Sequence, residues 1–595
     1  MLSSDHQSLA QSFISLDLPI YPHHVGPSRP YKPSVGKVAH TIHLPNMAAL
    51  VQLIGWFFLS LSFILVNGDP TATLPYGTFQ GYYSGNLSLF LGVPFASPPL
   101  GSLRFAPPQA PVEVDGIQNA TSFGAACPQQ QSSIPDVLPF EISMGSPSNV
   151  SEDCLTLNVW APITNASEPL PVAMWIYGGG FETGYTEAYD ASDLVERSLI
   201  LNEPVVFVSA NYRVNAFGFL GGKEVQDAGL SNIGLRDQRF AMQWIQSYIS
   251  IFGGDPTRVT LWGESAGAIS VGLHLLYNGG TTDGLFRGVF MQSGAPWTTR
   301  NISYGQPTFD RIAHETGCNT SESVIDCLRD VPYDTLLAAI NTLPSVFEYT
   351  SLNLAFQPYN DGLILDQNAQ KAVQQGQFAH VPFVTGSCAD EGTFFSLGST
   401  NITTDPEFSD YVNTMYFPEL TSRRMNDVSS AYPDDPAEGS PFGTGNNYTL
   451  TPEYKRIAAF NGDYSFQAPR RHFLNVASQT QPAWAYLYSR GNTTAYVGAY
   501  HGSDLTEFFS FGGSASNNDF IGTDALVNFA TNLDPNYSPN TTGQGISLLE
   551  TTSWSEWTSA QRMAEFTDSS PLLTFTTDTY RATAMQVLTN LSLQV

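Results

Sequence analysis

The sequence Trp262-Gly263-Glu264-Ser265-Ala266-Gly267 lies between an apolar run and a stretch without proline. The preceding residues, Val259 to Trp262, predict a short buried strand, and those from Ala266 towards Leu275 predict a helix. A serine between a strand end and a helix start needs glycine on both sides, because side chains would collide in so sharp a turn. Such a turn exposes the hydroxyl of Ser265 near the positive end of the helix dipole. The stretch therefore predicts a serine nucleophile at the edge of a sheet.

The pattern Gly-x-Ser-x-Gly is weak evidence when taken alone. Roughly 0.3 matches are expected by chance in a chain of this length and composition, and an ordinary strand-to-helix turn has the same residues. A second glycine-rich stretch, Tyr177-Gly178-Gly179-Gly180-Phe181, directly follows a predicted strand. Consecutive glycines let backbone N–H groups approach a substrate with no side chain in the way. This stretch predicts an oxyanion hole, which stabilises the negative charge of a tetrahedral intermediate.

An acid and a base follow further along the chain, each after a predicted strand. Asp390 and Glu391 offer neighbouring carboxylates, and His501 lies in a later loop. The order serine, acid, histidine is typical of one class of serine hydrolase. His501 would take the proton of Ser265, and a carboxylate would orient the imidazole. Spacing does not separate Asp390 from Glu391, whereas Glu264 is too close to Ser265 along the backbone to reach the far side of the ring.

Apolar runs alternate with helical patterns along most of the chain, which predicts a mostly parallel sheet with helices on both faces. A helix is expected from Leu235 to a stop at Gly253-Gly254-Asp255-Pro256, and an N-terminal hairpin is expected from Gly77–Gly81 to Phe90–Pro94. No linker, charge run or repeat interrupts residues 69–595, so these predict a single domain. The other predicted strands are Leu155–Val159, Val172–Tyr177, Val205–Val208, Val289–Met291, Val381–Val384 and Ala483–Leu487.

Composition disfavours two classes of function, nucleic-acid binding and zinc binding. The 595 residues include 24 Lys and Arg against 53 Asp and Glu, a net charge of −29. So acidic a surface repels phosphate backbones, which disfavours nucleic acid as a partner. The 5 cysteines show no Cys-x-x-Cys spacing and no histidine cluster, which disfavours a zinc site. Two disulfides would leave one thiol over, and the residues alone do not fix the pairing.

The first 68 residues predict a leader and a signal peptide. Residues 1–46 are rich in His, Pro and Ser without periodicity, which is typical of a disordered or wrongly included leader. Met47 precedes the apolar run Ala48–Val66, so residues 47–68 predict a secretory signal peptide with Met47 as the true start. An uncleaved anchor is the alternative. Sequons for N-glycosylation support export; they begin at Asn86, Asn119, Asn149, Asn165, Asn301, Asn319, Asn401, Asn447, Asn492, Asn536, Asn540 and Asn590.

Taken together, these motifs resemble those of the type-B carboxylesterase and lipase family, the cholinesterase-like α/β-hydrolases. The resemblance spans residue 75 to the end and is greatest to secreted fungal lipases and esterases. The motifs that carry it, besides the serine stretch and the glycine-rich stretch above, are Phe90-Leu91-Gly92-Val93-Pro94, Ser151-Glu152-Asp153-Cys154-Leu155, Asn211-Tyr212-Arg213, Gly253-Gly254-Asp255-Pro256, Asp390-Glu391-Gly392 and His501-Gly502-Ser503-Asp504.

The resemblance implies an α/β-hydrolase fold and a secreted serine hydrolase that cleaves carboxylic esters through an acyl-enzyme, without cofactor or metal. The expected partner is a small-molecule or lipid ester, and no stable membrane insertion is expected once the signal is cleaved. A catalytically silent adhesion protein with this fold is the alternative, but the triad positions are intact. The resemblance assigns the triad to Ser265, Glu391 and His501, the oxyanion donors to Gly179, Gly180 and Ala266, and the disulfides to Cys127–Cys154 and Cys318–Cys327, with Cys388 free.

In fungal lipases of this family, the loop closed by the first disulfide carries a flap over the active site. Here that loop resembles a short flap, because it holds few large apolar residues. We therefore expect a preference for short or medium acyl chains, with lipase and general carboxylesterase both open. The loop has no tryptophan to bind a quaternary ammonium by a cation–π contact, which disfavours a cholinesterase. Its large apolar residues are Ile134, Val137, Leu138, Phe140, Ile142, Met144 and Val150.

Overall fold

A computed structural model describes residues 68–140, 145–418, 420–510, 519–536, 538 and 546–595. The predicted leader, 1–46, and the predicted signal peptide, 47–68, lie outside the described residues except for Gly68. Within the described ranges, every helix is too short or too polar to span a membrane. The buried apolar side chains form one hydrophobic cluster, which extends along the chain from Ala72 to Leu591.

The described residues form sixteen strands, and eleven of these make up one large sheet. The strands are β1 (Thr71–Leu74), β2 (Gly77–Gln80), β3 (Tyr82–Ser84), β4 (Leu87–Pro94), β5 (Ile117–Asn119), β6 (Thr156–Pro162), β7 (Leu170–Ile176), β8 (Val206–Ala210), β9 (Gly254–Glu264), β10 (Gly288–Gln292), β11 (Arg300–Asn301), β12 (Tyr359–Asn360), β13 (Phe383–Cys388), β14 (Ala483–Tyr488), β15 (Arg562–Phe566) and β16 (Leu573–Thr577).

The order of strands across the sheet is β16-β15-β14-β13-β10-β9-β7-β8-β6-β4-β3. Neighbouring strands from β8 to β15 are parallel, and those at both edges are antiparallel. Every residue of β7, of β8 and of β10 is buried, so both faces of the central sheet are covered. The mostly parallel sheet predicted from the sequence is confirmed.

Helices connect the parallel strands, as crossover connections require. They are α1 (Ser192–Ile200), α2 (Asn215–Phe219), α3 (Lys223–Asp227), α4 (Ile233–Tyr248), α5 (Ala266–His274), α6 (Gln306–Glu315), α7 (Val324–Asp330), α8 (Tyr333–Ile340), α9 (Ala369–Gln374), α10 (Asp405–Tyr411), α11 (Ser422–Ala431), α12 (Tyr454–Gly462), α13 (Ala468–Ala477), α14 (Leu505–Phe509), α15 (Ile521–Asn532) and α16 (Ala582–Ser592). A π-helical turn at Asp463–Gln467 joins α12 to α13.

The N-terminal hairpin is present, but its strands differ from those predicted. Strand β2 pairs with β1 in a small separate sheet, and the strand that forms the hairpin with β4 is β3. The chain turns between them at Gly85-Asn86, where Gly85 has φ 58°. A two-residue turn of this kind suits the twist of a hairpin, whereas the predicted turn was several residues longer.

Two disulfides are present, Cys127–Cys154 and Cys318–Cys327, and Cys388 is buried and free. The first closes the loop predicted to carry the flap. The described residues of that loop form neither helix nor strand, and residues 141–144 lie outside the described part.

The strand–turn–helix unit of β9 and α5 packs directly against the backbone of β7. A Cβ added to Gly267 would lie 1.9 Å from the carbonyl oxygen of Ile176, and one added to Gly263 would lie 2.6 Å from the backbone of Gly267. Both contacts are with backbone atoms, which cannot rotate away as a side chain could. The two glycines are therefore required by close packing.

We expect Gly267→Ala to lower the free energy of unfolding by at least about 3 kcal/mol, because the new methyl group overlaps the main chain of Ile176. Chemical denaturation measures this loss. Gly229→Ala is the control, because no atom lies within 4 Å of its added Cβ and φ is +68°. That change costs about 1 kcal/mol through backbone conformation alone. Equal losses for the two variants would contradict the packing argument.

Candidate active site

Ser265 occupies the turn between the end of β9 and the start of α5. Its backbone has φ 55° and ψ −126°, a region that costs a non-glycine residue about 1–3 kcal/mol. Its N–H donates to the carbonyl of Gln292 at 2.9 Å, and its carbonyl accepts from the N–H of Ile269 at 2.8 Å. The side chain is close to the surface, with 8% of the residue exposed. The sharp turn expected from the sequence is thus present and is held from both sides.

The glycine loop after β7 lies against this serine. A Cβ on Gly178 would be 2.8 Å from the Cβ of Ser265, so the loop and the serine are in direct contact. Gly179 and Gly180 have φ of 106° and 63°, a conformation that side chains disfavour. The carbonyl of Gly179 accepts the N–H of Glu182 at 3.1 Å, which closes the loop into a turn. Ala266 begins α5 directly after Ser265, and Gly179 and Gly180 directly follow Gly178 in the loop that contacts the serine.

His501 and Glu391 are brought together, although 110 residues separate them in sequence. The imidazole Nδ1 and the carboxylate Oε2 are 2.5 Å apart. The other oxygen of Glu391 accepts the N–H of Cys388 at 2.7 Å, and the residue is 1% exposed. The carboxylate is therefore fixed by its own loop and aimed at one edge of the ring.

Asp390 does not bind the imidazole of His501. Of the two neighbouring carboxylates that the sequence left open, Glu391 is therefore the one in contact with the ring. One of its oxygens accepts from the hydroxyl of Ser440 and the N–H of Phe442, both at 2.8 Å. The other accepts the N–H of Ala499 at 3.0 Å. Ala499 lies two residues before His501, so Asp390 holds the loop that carries the histidine.

The opposite edge of the imidazole faces the serine turn. His501 Nε2 is 3.3 Å from Oε1 of Glu264, the residue that precedes Ser265. This nitrogen has no hydrogen-bond partner among the residues that the structure describes. The ring packs against Phe395 and Phe466, with centroid distances of 5.0 Å and 4.5 Å. Packing and Glu391 together fix the ring orientation and leave Nε2 able to exchange a proton.

Buried carboxylates dominate the electrostatics of the site. Burial lowers the pKa of His501, but the carboxylates of Glu391 and Glu264 outweigh it and raise the pKa to about 9. Burial raises the pKa of Glu264 to about 8, and the neighbouring histidine opposes that shift. The arrangement therefore favours the imidazolium that forms when His501 accepts a proton.

Sequence reasoning gave no role to Asp504, although it ends the last motif quoted above. This buried carboxylate accepts from the hydroxyl of Tyr486 at 2.7 Å and from the amide of Gln292 at 3.1 Å. Since the carbonyl of Gln292 binds the N–H of Ser265, Asp504 supports the serine turn indirectly. Phe395 and Phe466 were also missed, because single aromatic residues carry no motif.

Within the described residues, no three His, Cys, Asp or Glu side chains are grouped so as to bind a metal ion. The site instead combines a strained serine, an imidazole with one unpartnered nitrogen, a carboxylate on the other nitrogen and a glycine loop. Such a set can activate a hydroxyl as a nucleophile without a bound group.

Comparison with known proteins agrees with this chemistry. The family model described as the carboxylesterase family matches residues 68–582. The chain is 39% identical to Secreted lipase 1 of Botryotinia fuckeliana, over 78% of this chain and 85% of that protein. It is 38% identical to Lipase 2 of Diutina rugosa, over 79% and 88%.

A solved structure extends the likeness to the fold. The crystal structure of Aspergillus niger EstA matches with a TM-score of 0.74 and 28% identity, and the match covers 89% of this chain and all of the other. The family model covers most of the sequence, and the relatives align over most of their own length. The chain therefore belongs to the carboxylesterase family and has the α/β-hydrolase fold.

Proposed function

We propose that this protein hydrolyses carboxylic esters with Ser265 as nucleophile, His501 as general base and Glu391 as the residue that orients the imidazole. One observation carries the proposal. Glu391 binds Nδ1 of His501 at 2.5 Å, while Nε2 of the same ring makes no hydrogen bond within the described residues and lies 3.3 Å from Oε1 of Glu264, the neighbour of Ser265. A base that is held through one nitrogen and has the other beside the serine is what a serine nucleophile requires.

The reaction proceeds in two halves. His501 Nε2 takes the proton of Ser265 while the serine oxygen attacks the ester carbonyl carbon. The N–H groups of Gly179, Gly180 and Ala266 stabilise the resulting oxyanion. The imidazolium then gives its proton to the departing alcohol, which leaves an acyl-enzyme. Water, activated by the same imidazole, attacks the acyl carbon and releases the acid with Ser265 restored.

The alternative of a silent adhesion protein finds no support. All three triad positions carry residues able to act, and the relatives found are named lipases. Some of those relatives are named as secreted, and this enzyme is likewise a secreted ester hydrolase. Its partners are small-molecule or lipid esters.

The flap loop supports a preference for dissolved esters with short or medium acyl chains. Its first part is tied down, because Gln129 accepts the N–H of Gly184 at 2.7 Å and the N–H of Gln131 donates to Asn341 at 2.8 Å. Leu138 is buried and Phe140 packs against the hydrophobic cluster. Side chains that pack inward, as these two do, are not available to bind a lipid droplet.

Replacing the nucleophile tests the mechanism. Ser265→Ala is expected to lower kcat for a soluble ester by about 10⁶, the loss found when another serine hydrolase loses its nucleophile. Steady-state assays of purified protein measure this. Ser270→Ala is the matched control, because it removes a hydroxyl from the same helix that bonds to Ala266 and Gln238 instead. A Ser265→Ala variant with near wild-type turnover would exclude Ser265 as nucleophile.

The pH dependence tests the carboxylates around His501. Since its pKa is raised to about 9, the imidazole loses its proton only as pH rises through the alkaline range, and kcat/KM should rise with it. Glu264→Gln removes one carboxylate that raises this pKa, so the acid limb should move to lower pH. Glu348→Gln, at an exposed position, serves as control. An unmoved acid limb in Glu264→Gln would contradict the assigned electrostatics.

A series of p-nitrophenyl esters from acetate to palmitate tests the flap. We expect kcat/KM to peak at short or medium acyl chains and activity not to rise when a substrate passes its solubility limit. The Ser265→Ala protein provides the blank. Preferred hydrolysis of emulsified long-chain triglyceride would show that the flap does not limit chain length.

A further inference from the structure

A second buried carboxylate lies next to the glycine loop and has no part in the mechanism above. Glu182 follows Phe181 and is fully buried. Its Oε2 accepts the N–H of Val346 at 2.8 Å, and the backbone amide of Ala355 lies close enough to lower the pKa of this carboxyl group. Its Oε1 has no hydrogen-bond partner among the described residues. Burial raises the pKa of Glu182 to about 8, so this carboxylate is kept at an energetic cost.

Val346 and Ala355 are the ends of one irregular segment, residues 346–355, which forms neither helix nor strand. Since no sheet or helix holds this segment, the Glu182 carboxyl group supplies a hydrogen bond that the N–H of Val346 otherwise lacks. A single side chain, directly after the glycine loop, thus fastens the start of the segment and lies beside its end.

Side chains of this segment face the oxyanion loop. A Cβ placed on Gly180 would lie 3.5 Å from Cγ2 of Val346 and 3.8 Å from Cδ2 of Leu354. Both are apolar and sit beside a proposed oxyanion donor. A substrate whose carbonyl oxygen binds in that hole must place one of its substituents against them.

Two further residues of the segment contact Phe395, on the histidine side of the site. Phe347 stacks on Phe395 with a centroid distance of 5.9 Å, and Phe395 packs on His501 at 5.0 Å. The hydroxyl of Ser351 donates to the carbonyl of Phe395 at 2.8 Å. The segment therefore contacts both the oxyanion loop and the residue that packs against the base.

We propose that Glu182 is a positioning residue that fixes the 346–355 segment as the wall for the acyl chain and thereby sets acyl-chain selectivity. The proposal rests on the proposed ester hydrolysis. A displacement of about 1 Å in such a wall can cost about 10²-fold in rate, and the loss grows with the number of acyl carbons that contact it. Glu182 itself touches neither Ser265 nor the acyl carbon in this scheme.

The experiment compares Glu182→Ala, which removes the acceptor, with Glu182→Gln, which keeps an acceptor oxygen. The readout is the ratio of kcat/KM for octanoate to that for acetate p-nitrophenyl esters, with the thermal midpoint measured for each protein. We expect Glu182→Ala to lower this ratio by roughly 10-fold, mainly through KM, and Glu182→Gln to stay within about 3-fold of wild type.

Glu348→Ala is the matched control. Glu348 lies on the same segment and accepts the N–H of Ser345 at 2.7 Å, but it is exposed and its bond is local, to the residue just before the segment. Its ratio should match that of wild type. Should Glu182→Ala fail to fold, Glu182→Asp keeps the carboxyl group, shortens the reach by one methylene, and should lower the ratio in the same direction.

An unchanged ratio in Glu182→Ala or, where that protein does not fold, in Glu182→Asp would overturn the proposal. So would an equal fall in Glu182→Gln and Glu182→Ala. The outcome is separable from that of the proposed function. Wild-type protein that neither hydrolyses esters nor reacts with a phosphonate ester at Ser265 would refute the hydrolase itself. Wild-type activity that depends on Ser265, with no effect of Glu182 on the ratio, would refute this inference alone.

Discussion

The whole site depends on the contact between the backbone of α5 and the backbone of β7. Gly267 stands where any side chain would meet the carbonyl of Ile176, so the helix can follow β9 only through a very short turn. That turn forces Ser265 into a conformation that few L-residues adopt, with φ 55°. This strained conformation is stabilised by hydrogen bonds to Gln292 and Ile269 and by the buried sheet on either side. The same packing that strains the serine also fixes its direction, which is what a nucleophile needs.

The topology of the sheet explains why a base and an acid far apart in the chain meet. Strands β13 and β14 are parallel neighbours, so their carboxyl ends lie at one edge and their following loops are adjacent. The loop after β13 supplies Glu391, and the loop after β14 supplies His501. An isolated bridge between Asp390 and Tyr500 joins the two loops beyond the strands, and Asp390 and Ala499 exchange hydrogen bonds in both directions. The contact between Glu391 and His501 is thus an extension of the sheet rather than a chance meeting of loops.

Much of this could be predicted from the sequence, because the signals are local. The glycines around Ser265, the glycine loop and the strands were each visible within a few residues. The predicted hairpin partner of β4 was wrong. Two short stretches with strand-forming residues, Gly77–Gln80 and Tyr82–Ser84, could each pair with β4, and only tertiary packing decides between them. The support given by Asp390 and the clamp at Glu182 had no local signal. Glu182 and Val346 are 164 residues apart, and no periodicity or motif reports a contact of that kind.

The electrostatics of the site follow from where negative charge is buried. Glu264, Glu391 and Asp504 surround one imidazole, and each of them contributes to its raised pKa. In the proposed mechanism the charge helps only once His501 has taken the proton of Ser265, because then the imidazolium neutralises it. Before that step the same carboxylates hold a proton on the ring and oppose its action as a base. Glu264 relieves part of that conflict, because burial raises its own pKa to about 8 and lets it be neutral while the ring is neutral, whereas the charged ring favours its ionised form. Because Glu264 can lose or gain its charge beside Nε2, the site suits both the neutral and the protonated form of His501.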